Sequence, residues 1–342
     1  VPPIYMDEWD FYNPVKNSAY RHSSTILLLA WRDGKPVGRI MGIINHKYNT
    51  THNETYGRYF NLECWEEPDT VCALTTAVED WARSKGMTKM IGPLGFSEKD
   101  PQGFMIEGFE QPMAVATNCS LPYMPVLIEN CGFTKEVDLY SYKLDVPDNI
   151  PELYKAVYQR AQFNGGFVMK EFATKKELRE YIRPVFQLVN EAYAEIYGFA
   201  ELEPDEMDYI AKKYMFILNP KYVKVILDKK GEPVAFIVSM PELAGGIRKA
   251  RGHMFPFGFL KILREGKTTK MLTCYLGAIK EEHRNSGLDA LLGTKILETA
   301  KKEGMAFLDS HLVLETNIKM RREYEKLGGK IYKRYRIYQK AL

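Results

Sequence analysis

The chain has 342 residues, a formal net charge of +3 and a high share of aromatic side chains. That length suggests two domains, each large enough to bury its own core, and so small a charge excess argues against the wide basic surface that nucleic-acid binding needs. Five scattered cysteines lack metal-ligand spacing, and no apolar run reaches membrane-spanning length. The resulting expectations are a reduced cytoplasmic protein with no structural disulfide, no metal, no nucleic-acid partner and no membrane partner. No signal peptide is visible, and because the chain begins on Val in mid-pattern, some N-terminal residues are expected to be missing.

Residues 1–20, rich in Pro, Asn and aromatics, read as irregular surface. Ile26–Arg32 and Val37–Asn45 form a hairpin about Asp33-Gly34-Lys35-Pro36. A polar loop over Lys47–Thr55 leads to a strand at Tyr59–Cys64. Asp69 then caps a helix over Thr70–Lys85, whose apolar residues Val71, Leu74, Val78, Trp81 and Ala82 recur at helical spacing. A short strand, Lys89–Ile91, opens a long turn-rich loop over Gly92–Pro112, and loops of that length are often functional. A helix over Pro122–Asn130 and an alternating strand over Thr134–Leu144 complete this half.

Asp145–Pro151 reads as a linker. Beyond it come a strand at Phe167–Phe172, helices over Lys175–Ile196 and Asp205–Leu218, and a hairpin of Tyr222–Leu227 with Val234–Met240. Glu242–Lys267 is a basic, aromatic and Gly-rich insertion. An apolar strand, Cys274–Ile279, runs into a polar turn, Lys280–Ser286, and Gly287 opens an amphipathic helix reaching Lys302. A strand at Ala306–Leu314, a helix over Asn317–Leu327 and a strand at Lys330–Gln339 end the chain.

The halves repeat each other. Asp33-Gly34-Lys35-Pro36-Val37 matches Lys230-Gly231-Glu232-Pro233-Val234. Leu74 through Met87 matches Leu292 through Met305 without a gap, and Glu129-Asn130-Cys131-Gly132 matches Glu325-Lys326-Leu327-Gly328. Three matches in the same order imply two copies of one α/β unit, divided as residues 1–145 and 146–342.

Strand, turn and helix N-terminus at Cys274–Lys302 make an anion site, because unpaired N–H groups and the helix dipole face one point. Arg284-Asn285-Ser286-Gly287-Leu288-Asp289 there, followed by Asn317, Tyr324 and Gly328, resembles the acyl-CoA signature of the GNAT superfamily of N-acyltransferases. The resemblance covers nearly the whole chain. It is closest to uncharacterised bacterial proteins with two GNAT-like halves, through the GP…GF…EGF loop at Gly92–Phe109 and the Lys333–Tyr338 strand.

It implies a mixed-sheet α/β fold of two GNAT-like units in tandem, with a degenerate first half and an active second half. The implied reaction carries an acyl group, acetyl in the simplest case, from acyl-CoA as co-substrate to a small-molecule amine. Arg284, Asn285, Ser286, Gly287 and Leu288 would cradle the pyrophosphate. Backbone groups of Leu276, Gly277, Ala278 and Ile279 would hold the thioester, and Asn317 the pantetheine arm. Tyr324 would be the acid, and Glu315 or His311 the base. Two departures stand out: Asp289 replaces a small residue, and Glu66-Glu67-Pro68-Asp69 replaces the motif in the first half. Both also suit a GNAT-fold scaffold or ligand-binding protein without activity.

Overall fold

Left-handed backbone at Asp33 (φ 50°) and Gly34 (φ 74°) gives the first hairpin the turn that matches strand twist. The computed structural model describes residues 2–149 and 166–342, so Ile150 and Pro151 of the expected linker lie outside the described residues. In the first half the elements are α1 (Tyr5–Phe11), β1 (Ser23–Arg32), β2 (Lys35–Asn45), α2 (His46–His52), β3 (Tyr56–Cys64), α3 (Pro68–Ser84), β4 (Lys89–Gly92), β5 (Phe104–Glu107), α4 (Tyr123–Asn130) and β6 (Thr134–Asp145). In the second they are β7 (Val168–Glu171), α5 (Lys175–Tyr193), α6 (Pro204–Tyr214), β8 (Val223–Leu227), β9 (Pro233–Pro241), α7 (Ala244–Ala250), α8 (Gly258–Thr268), β10 (Met271–Ile279), α9 (Leu288–Lys302), β11 (Phe307–Asp309), β12 (Val313–Leu314), α10 (Ile318–Lys326) and β13 (Lys330–Ala341).

These strands form one mixed sheet in the order β1-β2-β3-β4-β13-β6-β11-β10-β9-β8-β7. The repeat is visible in it: β3 with β4 and β10 with β11 are the parallel pairs, each joined by a helix, α3 or α9. Each half gives its last strand to the other. β13 pairs antiparallel with β4, and β6 pairs antiparallel with β11, while β6 and β13 pair with each other at the centre. The α3 residues Val71, Leu74, Val78 and Ala82 bury one face against Ile40 and Tyr59. Ile296, Leu297 and Ala300 of α9 do the same against Leu272, Leu308 and Tyr142, a residue of the first half. Truncating one such leucine to alanine costs about 2–5 kcal/mol.

Several expectations are corrected. Residues 1–20 include α1, and the loop after β2 contains α2, whose first turn is capped by the Asn45 side chain accepting from Tyr48 N–H at 2.9 Å. The insertion after β9 is helical, α7 packed on α8. Glu67 rather than Asp69 occupies the N-cap of α3. These are short or polar segments whose periodicity is too brief to read. The strand expected over Ala306–Leu314 is broken into β11 and β12 by Ser310–Leu312, where His311 adopts φ 56°. The expectation of no structural disulfide also fails: Cys72 of α3 is bonded to Cys131 at the end of α4, with Cα atoms 5.4 Å apart. Helix packing, not sequence spacing, brings those two thiols together. Among the described residues no helix is long and apolar enough to cross a membrane.

Candidate functional site

β10 is where the sheet opens. It pairs with β11 only over Met271–Thr273, while its pairing with β9 continues to Ile279 past a bulge at Tyr275. The chain leaves β11 at Asp309, and the left-handed residue His311 turns it away from β10. From Cys274 onward one edge of β10 therefore lies open, and Leu276, Gly277, Ala278 and Ile279 line a cavity of about 1810 Å³ between the two halves. Tyr193, at the end of α5, reaches into the gap. Its hydroxyl donates to Gly277 C=O at 3.1 Å and accepts from Gly277 N–H at 3.3 Å. Burial, partly offset by that backbone contact, pushes its phenol up to about 12.

After β10 a single 3₁₀ turn, Glu281–His283, delivers the chain to α9. Asn285 (φ 68°) and Gly287 (φ 82°) both adopt left-handed backbone, and Gly287 is the N-cap. A side chain at Gly287 would be strained in that conformation. No side chain caps α9, so its first-turn N–H groups are available to an anion. Arg284, Asn285 and Asp289 line the cavity beside this turn; Ser286 is exposed, and Leu288 is buried in the packing of α9 on β8 and β9. Lys319, Arg322 and Lys326 of α10 line the same cavity. The exposed Asp289 carboxylate acts on Lys326, which itself bonds Glu323 at 2.6 Å. The matching helix start in the first half is closed: Glu67 pairs with Arg32 at 2.7 Å and accepts from the Thr70 hydroxyl at 2.8 Å.

Tyr324 lies on α10 and lines the cavity, stacked on Tyr142 with ring centroids 5.5 Å apart. Burial, reinforced by Cys274, Asp309 and Tyr193, holds its hydroxyl protonated well above the ordinary tyrosine range. Asn317 also lines the cavity, but its side-chain oxygen caps α10 by accepting from Met320 N–H at 3.2 Å.

The two candidate bases are separated by the break after β11. Glu315 sits beyond it, accepting from Lys135 Nζ at 2.8 Å, Asp138 N–H at 3.0 Å and the Tyr140 hydroxyl at 3.4 Å, and it does not line the cavity. His311 sits in the break and does line it. Its backbone N–H donates to Asp309 Oδ1 at 2.9 Å, and its ring faces the backbone of Val115 and Ala116 and lies 5.1 Å from the Tyr275 ring. Nε2 is buried without a partner among the described residues. Burial, opposed by Asp309 and those backbone contacts, lowers its pKa, so the ring is neutral near pH 7 with an available lone pair.

Glu98 was not singled out in the sequence. It belongs to the long loop after β4, which is anchored by the buried Arg58 donating to the carbonyls of Gly95 (3.0 Å) and Phe96 (2.9 Å). A Cβ on Gly95 would stand 2.4 Å from the Asp100 carboxylate, so the loop needs glycine there. Glu98 lines the cavity, its carboxylate is held by an ion pair to Lys99 at 3.5 Å and by no hydrogen bond among the described residues, and its charge bears on Tyr193. Burial, eased by Lys99, raises its pKa. The signal was the loop's length together with three charges at Glu98-Lys99-Asp100.

No protein-family model matches the chain. Over its whole length it is 27% identical to a bacterial ceramide synthase of Caulobacter vibrioides, covering 90% of that protein, and 25% identical to the protein YghO of Escherichia coli, covering 88%. Among solved structures it is similar to a tandem GNAT protein from the clavulanic acid biosynthesis pathway, with a TM-score of 0.51 and 13% identity over 94% of this chain and 83% of that one. The strand order, the opened β10 and the uncapped α9 agree with that likeness: the chain has the fold of the tandem GNAT proteins.

Proposed function

We propose that the protein transfers an acyl group from acyl-CoA to an amine, using the second half as its active unit. The observation that carries this reading is the open edge of β10 at Gly277, which leads to the uncapped first turn of α9 inside one large cavity. The turn, with Arg284, suits a pyrophosphate. The open edge suits an extended pantetheine arm and a thioester carbonyl, whose developing negative charge a backbone N–H stabilises. The amine nitrogen attacks the thioester carbon, forming C–N as C–S breaks. His311 Nε2 takes the amine proton, and the Tyr324 hydroxyl protonates the departing thiolate. His311 replaces Glu315 as the proposed base because Glu315 is committed to Lys135.

The name of the Caulobacter relative denotes amide formation between a fatty acyl group and a long-chain amino alcohol. Much of the cavity wall here is apolar, including Ile182 and Val189 of α5, Ile210 of α6, and Phe236 and Val238 of β9. A fatty acyl donor and a long-chain amine therefore suit it better than an acetyl group and a small polar acceptor. The test is release of free CoA thiol from fatty acyl-CoA with and without a long-chain amine. Amine-dependent release that falls in Tyr324→Phe, with acyl-CoA affinity kept, supports the reading; absence of release with every amine and donor overturns it. Asp289, a carboxylate beside the expected phosphate, favours a second reading as a GNAT-fold scaffold, which predicts no acyl-CoA binding at all.

A further inference from the structure

The helical insertion α7–α8 and the N-terminal α1 meet on the outside of the cavity and leave large apolar side chains in solvent. Trp9 is 69% exposed, Phe255 69% and Phe257 68%, with Leu260 and Leu263 half exposed on the outer face of α8. α1 and the insertion are joined there: Tyr5 stacks on His253 at 4.5 Å, the Trp9 ring lies tilted 6.4 Å from Tyr5, and Tyr5 N–H donates to Gly252 C=O at 3.1 Å. Exposed aromatics and leucines on this scale are uncommon on a surface that faces only water.

The exposed charges around them that make no ion pair are basic. Arg248, Arg251, Arg264 and Lys267 are exposed and make no ion pair among the described residues, while Lys249 takes up the one exterior carboxylate of the insertion, Glu265, at 2.8 Å. Of the α1 carboxylates, Asp7 pairs with Lys213 at 2.9 Å and Asp10 with Lys16 at 2.6 Å, while Glu8 is partly buried, lines the cavity and feels the charge of Arg39. Directly beneath the patch, Pro3, Ile4, Met6, Ile247 and Met254 line the cavity. An apolar cluster rimmed by unpaired cations is complementary to an anionic bilayer: the aromatics enter the acyl boundary and the cations face lipid phosphates.

We infer that α1 and the α7–α8 hairpin dock the protein on an anionic membrane surface, setting the cavity against the bilayer. This departs from the expectation of no membrane partner. It does not depend on the acyl-transfer reading, because docking is measured without turnover.

The experiment is co-sedimentation of the full chain with vesicles of phosphatidylcholine alone or mixed with phosphatidylglycerol, with tryptophan fluorescence followed in parallel and Trp9→Phe as the control for the other three tryptophans. The expected result is salt-sensitive binding to the anionic vesicles and a blue shift of the tryptophan emission. Phe255→Ser with Phe257→Ser should lower partitioning roughly tenfold or more. Arg251→Glu with Arg264→Glu should lower it by about fivefold or more per residue. All four side chains are exposed, so circular dichroism of these variants should match the parent. Failure to bind anionic vesicles, or unchanged binding by both variants, overturns the proposal. A dimer in light scattering that the Phe255→Ser, Phe257→Ser variant dissociates would assign the patch to a second copy and likewise overturn it.

Discussion

His311 shows how a residue's chemistry here depends on a local break in the backbone. As a member of a continuous strand it would alternate in or out with its neighbours; with φ 56° it instead carries an unpartnered Nε2 into the cavity wall. As the proposed base it must be neutral to act, and its pKa is depressed by burial. The rate should therefore be flat through neutrality and fall only on the acid side, below the ordinary imidazole value of 6.5. His311→Gln should lose that acid limb and at least roughly 100-fold in kcat, with acyl-CoA affinity unchanged. A pH profile of the variant that keeps the limb would return the role to another group, Glu98 first. Asp289→Asn should tighten acyl-CoA binding about two- to fivefold by removing a carboxylate from the helix N-terminus, as read by titration calorimetry. The Arg284–Asp289 segment was legible in the sequence because all of its determinants are local. The choice between His311 and Glu315 was not, because it depends on which residue the break turns toward β6.

At the level of elements, the open edge of β10 results from two short-range events: the bulge at Tyr275 and the end of β11 at Asp309. The sequence shows the strand and the helix after it, but not the gap between β10 and β11. Strand periodicity says which face is buried and nothing about which neighbour stops early. Tyr193 was equally hidden, since α5 reads as an ordinary amphipathic helix until its last residue is seen bonded to Gly277. In the proposed reaction that hydroxyl holds the place of the donor's own polar groups. Tyr193→Phe should then tighten acyl-CoA binding by about fivefold or more, because its two hydrogen bonds to Gly277 no longer have to be broken. Weaker binding would instead make Tyr193 part of the donor's grip. The helical hairpin α7–α8 was legible as an insertion of basic and aromatic character, while its helicity was obscured by five glycines.

For the whole molecule, the duplicated unit was legible from three ordered matches, yet the exchange of β6 and β13 was not. Either strand alternates in a way that would suit its own half or the other. The exchange makes each half incomplete by itself: β4 pairs with β13, and β11 pairs with β6. Residues 1–145 produced alone should therefore lack cooperative thermal unfolding by circular dichroism, whereas the full chain should unfold in one transition; a cooperatively folded fragment would show that the first half completes its own sheet. The same exchange places the long loop with Glu98 opposite the open β10, so that the first half, with its closed helix start at Glu67, serves as a wall of the second half's cavity. All of this converges on one physical claim, that acyl-CoA seats between the open edge of β10 and the first turn of α9. Titration calorimetry of the full chain with a non-hydrolysable fatty acyl-CoA analogue tests it most directly. The expected result is saturable binding at one site per chain that Gly287→Glu abolishes; no saturable heat, or binding indifferent to Gly287→Glu, would rule that seat out.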